Sequence, residues 1–118
     1  MLVWRGDLGT ADPCPACGHA GGLRPDVVWF GEMPYGIDAI EAALAAAELF
    51  VAVGTSGAVY PAAGYAAEAR ALGIPTLELN LEPSDTAHVF DDARYGPATE
   101  TVPAFVASLT GRDSGRAR

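Results

Sequence analysis

The sequence contains no lysine, and seven arginines stand against fifteen acidic residues, which gives a net charge of −8. Proteins that bind nucleic acid concentrate positive charge on one face, and anionic lipid attracts basic segments. The lysine-free, acidic composition therefore argues against nucleic acid and membrane surfaces as partners. An acidic surface would suit basic peptides, although solubility alone accounts for such a charge equally well.

Long apolar runs are also missing, since none approaches the roughly 20 residues of a membrane-spanning helix. The first residues show no basic-then-apolar signal pattern. Both absences predict a cytoplasmic protein. Cysteine is scarce as well, with Cys14 and Cys17 the only two. In a reducing compartment such a pair is more typical of a metal or redox site than of a structural disulfide.

Half of the 118 residues are apolar, which is enough for one modest core. Residues 1–22 have no apolar period and are predicted to be loop, and residues 27–30 to be extended. Further on, the pattern predicts helices over 37–47, 61–72 and 102–110 and strands over 49–53 and 76–80. The strand–helix–strand order indicates a parallel sheet, so the predicted class is α/β and Rossmann-like. Two strands are few for such a sheet, which favours part of a larger domain.

Two short polar motifs follow the predicted strands: Gly54, Thr55 and Ser56 after the first, and Asn80, Leu81 and Glu82 after the second. Each motif alone reads as an ordinary turn, because these residue types are common in turns. Ligands of open α/β sheets, however, bind outside the carboxyl ends of the strands. Hydroxyls and an acidic side chain at two such ends together indicate a nucleotide crevice.

The two cysteines stand in the string Cys14-Pro15-Ala16-Cys17. This spacing lets both thiolates face one ion, as in half of a zinc ribbon, although a structural zinc needs four ligands. His19 follows Cys17 too closely to be a normal third ligand. A thioredoxin-type disulfide is disfavoured because Cys14 precedes loop and does not lie between a strand and a helix.

Read in order, several strings resemble the sirtuins. They are the cysteine pair, the string GLRPDVVWFGE at 22–32, VGTS at 53–56 with VYPAA at 59–63, and NLE at 80–82. The similarity runs from about residue 13 to residue 109, and the string at 22–32 is the most specific part. The segments at 33–34 and 95–98 resemble the bacterial, class III-type members.

This resemblance implies an NAD-dependent protein-lysine deacylase, which removes an acyl group from lysine and releases nicotinamide and O-acyl-ADP-ribose. It implies NAD and Zn²⁺ as cofactors and an acyl-lysine protein or peptide as substrate. The implied zinc ligands are Cys14 and Cys17. The implied substrate-binding loop consists of Val28, Trp29, Phe30 and Gly31. The implied NAD contacts are Gly54, Thr55, Ser56, Asn80, Leu81, Glu82 and Ala98.

The family's glycine-rich NAD loop, its catalytic histidine and its first cysteine pair have no counterpart in the sequence. No catalytic residue is therefore assigned, and we expect a truncated form that is inactive alone. The predicted division is a partial zinc-binding module at 1–26, part of a Rossmann-like domain at 27–110 and a frayed tail at 111–118. The alternatives are a non-catalytic module that binds NAD, ADP-ribose or peptide, and two chains that share one zinc.

Overall fold

A computed structural model describes residues 2–111, and the predicted tail from residue 112 onward lies outside them. The chain divides into two compact units, one that ends at Ile37 and one that begins at Asp38. The division falls later in the chain than the predicted boundary after residue 26. None of the described helices is long and apolar enough to cross a membrane.

The first unit is built from turns. Among its described residues, the one pairing of extended backbone is an antiparallel bridge between Pro13 and Ala20, as expected from a segment rich in Gly, Asp and Pro. The N–H of Cys14 donates to the carbonyl of His19 (2.8 Å), which holds the bridge closed. No strand forms at residues 27–30. The chain turns there instead, with the N–H of Glu32 donating to the carbonyl of Trp29 (3.0 Å).

The second unit alternates helices and strands. Its elements are α1 (Ile37–Ala45, which starts at the last residue of the first unit), β1 (Phe50–Val53), a 3₁₀ turn (Ala62–Gly64), α2 (Tyr65–Ala71), β2 (Thr76–Asn80), a 3₁₀ turn (Ala87–Val89), β3 (Asp92–Tyr95) and α3 (Ala98–Thr110). The predicted second helix is thus a 3₁₀ turn followed by a shorter α-helix. The two predicted strands and the first predicted helix are confirmed to within one or two residues at their ends.

The sheet has three parallel strands in the order β1-β2-β3. Val51 is level with Leu77 and Ala52 with Glu78, while Asn80 is level with Tyr95 at the carboxyl end. The parallel sheet and the α/β class are confirmed. The third strand was not predicted, because its residues are mostly polar and exposed.

The core lies along the middle strand, where four of the five residues of β2 are buried. A central strand covered on both faces is typical of parallel sheets. The small apolar cluster beside it consists of Leu44, Ala69 and Ile74, with Phe50 and Tyr65 packed against it. This arrangement fixes the strand ends, and the carboxyl ends carry the polar motifs.

Helix α3 begins at Ala98, four residues before its predicted start. A start at residue 102 would place Pro103 in the first turn, where proline is tolerated, but Pro103 lies inside the helix. The true first turn carries Glu100, an acidic residue favoured at a helix N-terminus. The helix ends at Gly111 with φ of 73°, the left-handed conformation that glycine adopts readily.

Candidate functional site

The carboxyl ends of the three parallel strands lie at one edge of the sheet. β1 ends at Val53 and is followed by Gly54, β2 ends at Asn80, and β3 is followed by Gly96 and α3. All seven predicted NAD contacts therefore lie at or shortly after strand ends at this edge: Gly54, Thr55, Ser56, Asn80, Leu81, Glu82 and Ala98. We call this edge, with these seven residues, the carboxyl edge.

Asn80 connects all three strand ends. Its Nδ2 donates to the carbonyl oxygen of Thr55 after β1 (2.7 Å), and its Oδ1 accepts from the N–H of Leu81 (2.9 Å). The N–H of Gly96, after β3, donates to the carbonyl of Asn80 (2.9 Å). Asn80 thus joins the three strand ends, through its side chain to the segment after β1 and through its backbone carbonyl to the segment after β3.

The hydroxyls of Thr55 and Ser56 each accept a hydrogen bond from a backbone N–H two residues later. Gly57 N–H donates to Thr55 Oγ1 (3.2 Å), and Ala58 N–H donates to Ser56 Oγ (3.3 Å). Such turns fix where the oxygen points while leaving its hydrogen available as a donor. Both residues are exposed, so the two hydroxyls can donate to phosphate or ribose oxygens.

Gly57 brings the loop after β1 against the loop after β2. It is buried, its φ is +68°, and a Cβ there would collide with Thr86 Oγ1 and lie 3.1 Å from Thr86 N. The N–H of Asp85 donates to the carbonyl of Ser56 (2.9 Å) across the same contact. The sequence analysis missed this position, although the second glycine of Gly-Thr-Ser-Gly was a signal for it.

Glu78 was also missed, although it interrupts an apolar strand. Its side chain is 0% exposed in the centre of β2. Its Oε2 accepts from the hydroxyl of Tyr95 (2.9 Å) and, at 3.5 Å, from the N–H of Ser84. Oε1 has no partner among the described residues. The hydrogen bond to Glu78, followed by burial and the charge of Glu78, raises the pKa of Tyr95.

In the first unit, the predicted substrate loop of Val28, Trp29, Phe30 and Gly31 is exposed. Phe30 is 92% exposed, and Gly31 has φ of +86°. Arg24 lies over the ring of Trp29, 4.7 Å from its centroid, and pairs with Glu32 (2.9 Å). Exposed apolar side chains held on an ordered turn are typical of a contact surface for a partner.

Cys14 and Cys17 are free thiols on the turn closed by the bridge between Pro13 and Ala20. Hydrogen bonds from the backbone N–H groups of Cys17 and Ala16 lower the pKa of the Cys14 thiol. A lowered pKa favours the thiolate, the form that binds metal. Within residues 2–111 no group of three or more His, Cys, Asp or Glu could hold an ion.

Comparison with known proteins places the chain in a family. Residues 5–61 match the model described as the Sir2 family. An NAD-dependent protein deacylase of Caulobacter vibrioides is 62% identical over 109 residues, which are 90% of this chain and 46% of that protein. The chain belongs to the Sir2 family. The resemblance to the sirtuins seen in the sequence is thereby confirmed.

Other members of the Sir2 family show the same partial overlap. The NAD-dependent protein deacylase of Escherichia coli K12 is 52% identical over 109 residues, 92% of this chain and 39% of that protein. A mutant Sir2 homologue in complex with ADP-ribose has a TM-score of 0.77 at 28% identity, over 96% of this chain and 45% of the other. A Sir2 homologue in complex with NAD has a TM-score of 0.75 at 29% identity, over 91% and 42%. The chain spans less than half the length of these relatives.

Proposed function

We propose that this chain forms the part of an NAD-dependent protein-lysine deacylase that binds ADP-ribose and the substrate peptide. The observation that carries the proposal is the convergence of polar groups from three strand ends at the carboxyl edge. The relatives named as NAD-dependent protein deacylases support it, as do the related Sir2 structures with NAD and ADP-ribose.

The carboxyl edge has the donors and acceptors that ADP-ribose requires. Gly54 has φ of +65°, and no atom lies within 4 Å of where its Cβ would stand, so a ligand can approach its backbone. The hydroxyls of Thr55 and Ser56 would donate to phosphate or ribose oxygens. The exposed carboxylate of Glu82 would accept from ribose hydroxyls. Ala98, at the start of the 13-residue α3, adds the positive end of a helix dipole.

The loop of Val28, Trp29, Phe30 and Gly31 would bind the acyl-lysine peptide by pairing its backbone with that of the substrate. A Sir2 structure with a p53 peptide and NAD⁺ has a TM-score of 0.64 to this chain at 26% identity, over 84% of this chain and 41% of the other. The net charge of −8 is consistent with a basic peptide and not with nucleic acid or a membrane surface as partner.

Cys14 and Cys17 would supply two of the four thiolates of a structural zinc site. Two free thiols suit a reducing compartment, and we therefore propose the cytoplasm. NAD, when bound, would supply the ribose carbon that takes up the acyl group as nicotinamide leaves. The residues of this chain would bind and orient the ADP-ribose, and none of them is assigned as the catalytic base.

Calorimetric titration of the 118-residue chain tests the proposal. ADP-ribose is expected to bind, and nicotinamide alone is not. Glu82→Gln should weaken ADP-ribose binding by about tenfold, because a hydrogen bond to a charged group contributes about 1.5–3 kcal/mol. Glu68→Gln, on the exposed side of α2, is the matched control and should leave the affinity unchanged.

A lack of heat with ADP-ribose at millimolar concentration would contradict the proposal. Binding of ADP-ribose together with turnover of an acyl-lysine peptide would support the deacylase in full. Binding without turnover would instead favour the non-catalytic binding module.

A further inference from the structure

The middle strand of the sheet contains an ionisable side chain where the fold alone calls for an apolar one. Glu78 is fully buried, with Ala52 of β1 and Ala93 of β3 level with it on either side. Leu77 and Leu79, whose side chains point to the opposite face of the strand, are buried as well, so β2 is covered on both faces. Burying a carboxylate opposes folding unless its hydrogen bonds are made, and an apolar replacement is often as stable. Core stability therefore does not explain Glu78.

The contacts of Glu78 join the loop after β2 to the end of β3. Tyr95, whose hydroxyl donates to Oε2, is the last residue of β3 and lies three residues before the start of α3. Ser84, whose N–H approaches the same oxygen, lies in the loop just after Glu82. One buried oxygen thus contacts both the loop that carries Glu82 and the segment that leads to Ala98.

We propose that Glu78 is a positioning residue for ADP-ribose, an inference that rests on the proposed function of the carboxyl edge. Glu78 does not touch the ligand. It fixes the loop at 81–86 relative to the start of α3, so that Glu82 and Ala98 face the same molecule. The raised pKa of Tyr95 agrees with a phenol that stays protonated and donates to the carboxylate.

The other end of β2 provides a matched control. Thr76 is buried, and its Oγ1 and N–H both donate to Asp91 Oδ2 (3.1 and 3.0 Å). This contact joins the same strand to the segment that precedes β3, but at the amino end of the sheet. Its loss should weaken the fold without moving the carboxyl edge.

The experiment compares Glu78→Leu, Tyr95→Phe, Glu78→Gln and Thr76→Val in the 118-residue chain. Calorimetry gives the affinity for ADP-ribose, urea denaturation gives stability, and amide hydrogen exchange without ligand reports the loops. We expect Glu78→Leu to weaken ADP-ribose binding about tenfold and Tyr95→Phe severalfold. Glu78→Gln should stay within about twofold of the parent, because the amide oxygen still accepts from Tyr95. Thr76→Val should lower the urea midpoint and leave the affinity unchanged.

Hydrogen exchange separates this proposal from the function on which it rests. Glu78→Leu and Tyr95→Phe should speed exchange at 81–86 and at Glu100 and Thr101, whose N–H groups donate to the carbonyl of Pro97, and Thr76→Val should not. If the parent chain binds no ADP-ribose, the proposed function fails, and the exchange pattern still decides whether Glu78 positions the edge. Unchanged exchange in Tyr95→Phe, or equal loss of affinity in Tyr95→Phe and Thr76→Val, would overturn the proposal. If Glu78→Leu does not fold, the result for Tyr95→Phe decides whether Glu78 is a positioning residue, because Tyr95 is only partly covered.

Discussion

The two units of the chain obtain their order in different ways. The second unit buries apolar side chains around a parallel sheet, with Leu79 only 1% exposed. None of the described residues from 2 to 36 is buried, and the structure there consists of turns with an exposed ion pair of Arg24 and Glu32. Burial is therefore the main source of order in the second unit. We expect the first unit to gain order from the proposed zinc site.

The largest expected effect is a loss of stability in the second unit that the first unit does not share. Leu79→Ala should lower the free energy of unfolding by about 2–5 kcal/mol, as is usual when a buried leucine is truncated. Both tryptophans, Trp4 and Trp29, lie in the first unit, so their fluorescence reports that unit, whereas helical circular dichroism reports the second. We expect the dichroism transition to move to lower urea and the tryptophan signal to stay in place.

The control is Leu109→Ala, since Leu109 is 62% exposed and its truncation should change little. A common shift of both signals in Leu79→Ala would show that the two units unfold as one and would remove the contrast between them.

A second, smaller effect concerns the thiols of the first unit. Because backbone hydrogen bonds lower the pKa of Cys14, its thiolate should persist to lower pH than an ordinary thiol. The rate of alkylation of Cys14, measured in Cys17→Ser, should therefore reach half its maximum at a lower pH than that of the cysteine in an unstructured peptide. Zinc should slow alkylation in the parent chain more than in Cys17→Ser. A pH profile identical to that of the peptide would show that the turn does not favour the thiolate.

The smallest effect is expected at the ion pair of Arg24 and Glu32, whose side chains are 43% and 44% exposed. Exposed pairs contribute about 0.2–1 kcal/mol. Arg24→Gln should therefore move the tryptophan-monitored urea midpoint only slightly, and salt should reduce the difference. Arg5→Gln removes the same charge from the same unit and serves as the control. A shift as large as that of Leu79→Ala would mean that this ion pair organises the first unit.

The sequence was sufficient for the part of the fold with strong apolar patterns. The runs at 49–53 and 76–80 predicted two parallel strands, and the polar residues after them predicted which residues would meet at the carboxyl edge. The third strand, Asp92–Tyr95, was not predicted because it lies at the edge of the sheet and has few apolar residues. The start of α3 was placed too late because Pro103 was read as a first-turn proline.

The roles of Glu78 and Asn80 were not predicted, and both failures have the same physical cause. The buried state of Glu78 depends on Tyr95, seventeen residues later, and no local pattern predicts such a pairing. The side chain of Asn80 was predicted to contact a ligand, whereas in the structure it forms hydrogen bonds with the backbone of Thr55 and Leu81. Contacts between distant segments decide both cases, whereas composition and spacing describe only neighbours along the chain.

The close approach at Gly57 also bears on how this edge can change in evolution. Thr86 occupies the space that a side chain at position 57 would need. A smaller residue at position 86 would not relieve this constraint, because the backbone N of Thr86 lies 3.1 Å from the same point and the φ of +68° is strained for any side chain. Position 57 should therefore stay glycine while position 86 varies.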